Sequence, residues 1–444
     1  MRVEYQLPKS ATDFRIILLN LACVFSMTLG FLIFNPETPT LLIITAVISG
    51  VFVISIAGEI FISKSHLAKR LKRHKKTISR EEYSDKIKHT MLGFCACLLF
   101  FVLYLLLIPE YSESIYILPQ SVFLIGAFLS ILIAGFIYFP YAINHYDQSD
   151  NYYLSLGYLI MGRPRKNTKQ HMSQLLQGLI LKGFFIIFMM SIALLAIENI
   201  FEAESVPRQL IEESFTLSTD KLFQITITLF LFLSLFDVVT GTLGYICTFK
   251  VLNTDIRSLD PKFLGWFSCF ICYPPFWDIV MKGILISLYA SMSWQELFEG
   301  HKTLLCFWGI LVLLSGGLEA FSGGTFGIRF ANIAYRGLIT AGPYRFSKHP
   351  QYLGKICHRF LTVLPFIGYA STLQMFQGML GFLLLGLLYF LRARTEENHL
   401  TVFPEYVAYA KWMNEHGVLR KIGKIFPVFA YDEERSKQYK IFMR

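Results

Sequence analysis

Apolar runs close to the thickness of a bilayer recur along almost the whole chain, and they constrain its fold more than any other feature. A helix needs about 20 apolar residues to cross the hydrocarbon core of a membrane. The chain of 444 residues is 54% hydrophobic and only 16% charged, which is less polar than a soluble protein requires. The sequence therefore predicts an all-α, polytopic membrane protein.

About ten spans account for these runs. They lie at about 14–34, 41–62, 91–108, 118–140, 176–196, 222–248, 263–292, 303–321, 353–370 and 372–391. Pro274 and Pro275 interrupt the seventh run, which is either a broken helix or a short re-entrant piece followed by a span. The acidic segment 198–220 is the one candidate seam. It divides the chain into an N-terminal membrane region of unknown role, 1–220, and a C-terminal region, 221–444.

Lysine and arginine concentrate in alternate loops. The loops 64–88 and 141–172 are basic, whereas the links 35–40 and 109–116 contain neither residue. Because loops rich in Lys and Arg stay on the cytoplasmic side, both termini are predicted to be cytoplasmic. This topology, with attraction to an anionic lipid surface, explains the net charge of +10, and no nucleic-acid partner is predicted.

The eight cysteines lie almost entirely inside predicted spans. None of them has a matching His or Cys set at metal-ligand spacing. We interpret them as small packing residues, and no metal site is predicted.

A polar motif precedes the ninth span, where residues 342–354 read GPYRFSKHPQYLG. Pro350 pushes His349 toward an extended conformation. Gly354 is predicted to let the first turn of the following helix approach a ligand closely. The segment is therefore predicted to be a bent loop that exposes backbone N–H groups at a membrane surface.

The side chains of this motif suit a charged, flat ligand. Arg345, Lys348 and His349 offer positive charge to a carboxylate or phosphate. Tyr344 and Tyr352 offer aromatic faces to a flat base or a cation.

A second motif follows the tenth span, where residues 392–397 read RARTEE. A chain that crosses the membrane through 353–370 and returns through 372–391 brings the two motifs to one surface. Glu396 and Glu397 point about 100° apart on a helix, so one is predicted to bind a ligand and the other to pair with a basic side chain: Arg392, Arg345 or Lys348. S-adenosylmethionine, with its ammonium, carboxylate, sulfonium and flat base, would use all of these groups. Alternatively, the basic residues are topogenic charges and the two glutamates are their surface partners.

Three successive features of this region resemble the isoprenylcysteine carboxyl methyltransferase family and the related phospholipid N-methyltransferases. They are the first motif, the helical hairpin and the pattern Arg-x-x-x-Glu-Glu-x-x-Leu, which is followed by Tyr406 and Tyr409. The resemblance covers about 325–427. Family members are commonly much shorter and usually have Arg where this chain has Lys348. The resemblance implies that S-adenosylmethionine binds at the cytosolic face. The cofactor site is predicted to comprise Tyr344, Arg345, Lys348, His349, Pro350, Tyr352, Leu353, Gly354, Arg392, Glu396 and Glu397.

The implied reaction is direct displacement, for which the protein supplies proximity, alignment and exclusion of water. The acceptor is predicted to be lipophilic, an isoprenylcysteine carboxylate or a lipid head group that enters from the bilayer. Arg359 would orient a carboxylate acceptor. An amine acceptor needs a general base, for which Glu319 and Glu397 are the candidates.

Two other functions stay open from the sequence. Membrane sterol-type reductases that use NADPH also have about ten spans and a similar His-Pro-x-Tyr-x-Gly region. A lipid-binding or transport protein that kept the fold without the chemistry is the other alternative. In each case the chain would lie in the plasma or inner membrane or in the endoplasmic reticulum, with amphipathic C-terminal helices against the cytosolic face.

Overall fold

The computed structural model describes residues 6–63, 78–107, 121–145, 151–202, 219–277, 293–364, 367–425 and 427–434. These residues are mostly helical, in agreement with the predicted class. Their α-helices are α1 Phe14–Phe34, α2 Thr40–Phe61, α3 Arg80–Leu107, α4 Ser121–His145, α5 Tyr152–Ile160, α6 Thr168–Glu202, α7 Thr219–Ile246, α8 Phe263–Phe270, α9 Trp294–Phe298, α10 Lys302–Gly324, α11 Pro350–Val363, α12 Thr372–Leu400, α13 Pro404–His416 and α14 Arg420–Ile425.

Within the described ranges, six helices are long and apolar enough to cross a membrane. They are α1, α2, α6, α7, α10 and α12. Each overlaps one of the predicted spans, and together they fit an all-α membrane protein. Parts of the predicted fourth and seventh spans, 118–120 and 278–292, lie outside the described residues, as do both chain ends.

The predicted ninth span, 353–370, is wrong in its length. The helix there, α11, ends at Val363, and Leu364 follows in the left-handed conformation with φ of 46°. Its 14 residues extend about 21 Å, short of the roughly 30 Å hydrocarbon core. Leu353 and Phe360 in this helix are about one-third exposed, at 36% and 37%, whereas the Lys355 side chain is only 15% exposed, because it lies against Glu319.

Gly354 in α11 contacts a neighbouring helix, which corrects the expectation that it lies against a ligand. A Cβ at this position would collide with the backbone of Glu319 in α10. The missing side chain therefore permits close packing of α10 on α11.

A short antiparallel strand pair lies among the helices. β1, Ser258–Leu259, pairs with β2, Ala334–Tyr335, in the register Ser258 to Tyr335 and Leu259 to Ala334. Apolar periodicity did not predict this pair, because two residues per strand are too few to give a pattern. It joins a loop after α7 to the segment that leads into the first motif.

The chain forms two compact units that are interleaved in sequence. The first contains residues 1–55, 193–244 and 256–444, and the second contains 56–192 and 245–255. Most of the predicted seam, 203–218, lies outside the described residues. The first unit holds both motifs together with α1.

The segment before α1 supports the first motif. Ala11 donates its backbone N–H to Leu338 O at 2.7 Å, and the Thr340 hydroxyl donates to Pro8 O at 2.8 Å. Asp13 then caps α1 by accepting the N–H of Arg15 at 2.9 Å. Hydrogen bonding to Arg15 lowers the pKa of the Asp13 carboxyl.

In the second unit, α3 packs against α5. The Tyr158 hydroxyl donates to Asp85, and the Tyr158 ring stacks on His89 with the ring centroids 4.0 Å apart. These polar contacts lie at the charged beginning of α3, before its apolar part.

Candidate functional site

A buried tyrosine of α13 fixes the turn that carries the first motif. Gly342 has φ of 56°, a left-handed conformation that glycine adopts without steric cost. Tyr409 is 2% exposed, and its hydroxyl lies 2.6 Å from Tyr344 O and 3.1 Å from Ser347 O. The amphipathic helix α13 therefore sets the position of this motif.

The two motifs meet, as the predicted hairpin requires. The carboxylate of Glu397 in α12 lies 2.5 Å from Lys348 Nζ and 3.2 Å from His349 Nε2. Arg394 Nη1 contacts the other oxygen of the same carboxylate at 2.9 Å. Only 8% of the Glu397 side chain is exposed, so three basic side chains surround a nearly buried anion. Glu397 is thus the member of the glutamate pair that binds basic residues.

Glu396 has a different environment. Its Oε2 accepts a hydrogen bond from Tyr352 at 2.8 Å and lies 3.9 Å from His349 Nδ1. The rings of His349 and Tyr352 are nearly parallel, with centroids 5.4 Å apart. The Glu396 side chain is 38% exposed, so it retains oxygen surface for a ligand.

A polar pocket lies where the motifs meet, and six predicted residues line it: Tyr344, Lys348, His349, Tyr352, Arg392 and Glu396. Its empty space is about 690 Å³, including the opening to solvent. Further lining residues that the sequence analysis did not single out include Asp260, Cys269, Phe326, Phe330, Asn332, Thr395 and His399. The pocket combines acidic, basic and aromatic side chains.

Arg392 is a buried cation with unused hydrogen-bonding capacity. It is 5% exposed, and its Nη2 donates to Asn332 Oδ1 at 2.5 Å and to the Tyr273 hydroxyl at 3.2 Å. Nη1 has no hydrogen-bond partner within the described residues. Because an unpaired buried charge is costly, an anionic group at this end of the pocket would stabilise the guanidinium.

Asp260 reaches the pocket through the strand pair. Its backbone N–H donates to Ile333 O at 2.8 Å, immediately after the β1–β2 ladder. Burial raises the pKa of the Asp260 carboxyl, and the nearby Glu396 carboxylate raises it further, against the lowering effect of Lys262. The loop contains two acidic residues, Asp255 and Asp260, and only the position of Asp260 directly before Pro261 distinguishes it in the sequence.

A large apolar groove adjoins the pocket. Its empty space is about 2690 Å³, including the opening to solvent. Apolar side chains of α11 and α12 form most of its wall, among them Leu353, Ile356, Phe360, Phe376, Met379, Leu380, Phe382 and Leu383. Basic residues line it as well: Lys348, Arg394, Arg420 and Lys424. Lys348, His349 and Tyr352 line both the pocket and the groove.

The other predicted site residues have varied positions. Leu353 and Glu397 line the groove, and Pro350 is the first residue of α11, where its missing N–H has no effect on the helix. Arg345 and Arg359 are exposed and line neither cavity. Glu319 lies 3.8 Å from Lys355 Nζ and also lines neither.

Within the described part of the chain, no three His, Cys, Asp or Glu side chains gather as they would around a metal ion. Comparison of the chain with protein-family models, curated proteins and solved structures found no match.

Proposed function

We propose that the protein is an integral-membrane methyltransferase that uses S-adenosylmethionine and acts on a lipophilic acceptor, an isoprenylcysteine carboxylate or a lipid head group. The proposal rests on one observation. A polar pocket and an apolar groove adjoin each other and share a wall formed by Lys348, His349 and Tyr352. Transfer between a polar donor and a lipophilic acceptor needs two adjoining sites of opposite character that hold the reacting atoms in contact.

The residues of the pocket fit the proposed cofactor. Arg392 Nη1, which is buried and lacks a partner within the described ranges, suits a carboxylate. Glu396 suits an ammonium group, and the rings of Tyr344 and Phe326 suit a flat base. When bound, S-adenosylmethionine would supply a methyl group that its sulfonium has already activated.

The residues of the groove favour an acceptor with an anionic head. Lys348 and Arg394 reach it from the motifs, and Arg420 and Lys424 reach it from α14. An anionic oxygen that accepts a methyl group needs no general base. Glu397 then acts as a positioning residue that holds His349 and Lys348 at the shared wall. Roles for Arg359, Glu319 or Glu397 in orienting or deprotonating the acceptor stay predictions.

We also propose the finer membrane topology: ten membrane segments, the ninth of which contains only the short helix α11, both termini in the cytoplasm and a cytosol-facing site against an anionic lipid surface. The alternation of basic and basic-poor loops supports this orientation. The basic residues Arg420 and Lys424, beside the exposed apolar Ile422 and Ile425, suit the interface of an anionic leaflet.

We expect S-adenosylhomocysteine to raise the melting temperature of the full-length protein in detergent. A ligand present at about 100 times its dissociation constant stabilises the native state by about 2.7 kcal/mol, which is a shift of a few degrees. The measurement is a thermal-shift titration with S-adenosylhomocysteine and, in parallel, NADPH.

The control is Arg345→Ala. Contrary to the prediction for the cofactor site, the exposed Arg345 side chain does not line the pocket, so its removal should keep the full shift. A shift with NADPH alone would instead favour the reductase. No shift with either compound would favour a lipid-binding or transport protein without the chemistry.

A further inference from the structure

The part of the polar pocket that the groove does not share contains a carboxylate with one free oxygen. Asp260 is 2% exposed, and its Oδ1 accepts the backbone N–H of Lys262 at 2.9 Å. Within the described ranges, Oδ2 makes no hydrogen bond. It faces Gly265 in α8, where a Cβ would collide with it. The Asp260 carboxylate is therefore fixed through Oδ1, whereas Oδ2 packs against Gly265 without a hydrogen-bond donor among the described residues.

The backbone around Asp260 is rigidly held. Its N–H donates to Ile333 O at 2.8 Å, and its carbonyl accepts the indole N–H of Trp266 at 2.7 Å. Together with the Lys262 contact, these bonds fix the carboxylate before any ligand binds. A preorganised acceptor of this kind discriminates between ligands, because it cannot turn away from a mismatched group.

Aromatic rings line the same pocket. The ring of Phe326 lies edge-on to that of Tyr344, with centroids 4.9 Å apart, and 6.0 Å from the ring of Phe330. Such flat apolar walls suit a planar heterocycle. A carboxylate oxygen beside them would accept a hydrogen bond from an amino group on that heterocycle.

We propose that Asp260 recognises the base of the nucleoside cofactor. Its Oδ2 accepts a hydrogen bond from the exocyclic amino group of adenine. This inference rests on the proposed function. Because the methyl-bearing sulfonium must face the shared wall, the base lies toward the residues that line the pocket alone. A base with a carbonyl oxygen in place of the amino group would bind poorly, because that oxygen and Asp260 Oδ2 are both hydrogen-bond acceptors.

The test compares two ligands and one isosteric substitution. The base of S-adenosylhomocysteine carries an amino group at the position where the base of S-inosylhomocysteine carries a carbonyl oxygen. Asp260→Asn keeps one oxygen for the Lys262 N–H and replaces Oδ2 by a donor. Dissociation constants are measured by calorimetry on the full-length protein in detergent. We expect the native protein to prefer the adenosyl compound by about 10-fold or more, and the variant to narrow or reverse this ratio.

The control for the substitution itself is Asp13→Asn, which changes a carboxylate outside the pocket and should leave the ratio unchanged. If Asp260→Asn does not fold, Gly265→Ala is used instead: its new Cβ would overlap Oδ2 and Cγ of Asp260, so the whole carboxylate must move and the ratio should also narrow. An unchanged ratio in the folded variant would overturn the role of Asp260 while leaving the proposed function intact. Failure of the native protein to bind either compound would overturn both.

Discussion

Replacing Glu396 by alanine is expected to lower methyl transfer by about 100-fold while the protein remains folded in the membrane. The variant removes the carboxylate proposed to bind the ammonium of the cofactor. It also removes the acceptor of the Tyr352 hydroxyl at 2.8 Å. Because the side chain is 38% exposed, its loss leaves no buried charge unpaired, and the cost in stability should be limited to about 1–3 kcal/mol from the unpaired Tyr352 hydroxyl. The measurement is the initial rate of transfer from labelled S-adenosylmethionine.

Glu396→Gln separates the two effects of that change. The amide retains an oxygen for the Tyr352 hydroxyl but carries no charge. If the methyl-transfer activity of Glu396→Gln is close to that of the alanine variant, the loss of activity is due to the missing charge. His349→Ala, which alters the shared wall from the α11 side, should reduce activity to a similar degree. Full activity in both Glu396→Ala and His349→Ala would remove the site assignment.

Replacing Glu397 by alanine is expected to destabilise the folded protein by about 3–5 kcal/mol. Its nearly buried carboxylate is the common partner of Lys348, His349 and Arg394. Without it, basic side chains that are only 11% to 18% exposed face one another with no anion between them. A large drop in melting temperature, with loss of activity, is therefore predicted.

A surface ion pair provides the comparison. Glu433 contacts Lys411 Nζ at 2.6 Å, but its side chain is 54% exposed. Glu433→Ala should cost no more than about 1 kcal/mol, because water screens the pair. Equal melting temperatures for the two alanine variants would contradict the structural role assigned to Glu397.

The meeting of the two motifs could be predicted from the sequence because the chain between them is short and apolar. A hairpin of two helices returns to where it began, which brings Lys348 and His349 to the glutamates. The different environments of Glu396 and Glu397 follow from helix geometry alone. The hairpin prediction was nevertheless wrong for its first arm, since hydropathy did not reveal that the chain leaves the helix at Leu364.

Other features of the site depend on contacts distant in sequence, and no local pattern encodes them. Asp260 enters the pocket because β1 pairs with β2, a ladder of two residues per strand. The partners of Arg392, which are Asn332 and Tyr273, come from two separate segments. The close contact of Gly354 with α10 likewise depends on which helices are neighbours. Motif spacing indicated which residue types a ligand would need, and tertiary packing determined which of them line the pocket.

The most direct test of the central claim is transfer of a labelled methyl group from S-adenosylmethionine into a total membrane extract by the purified full-length protein, followed by identification of the labelled product. The account predicts label in a lipophilic molecule with an anionic head, with little or none in the Glu396→Ala reaction. Absence of label from every lipid fraction, under conditions in which the protein binds S-adenosylhomocysteine, would contradict it.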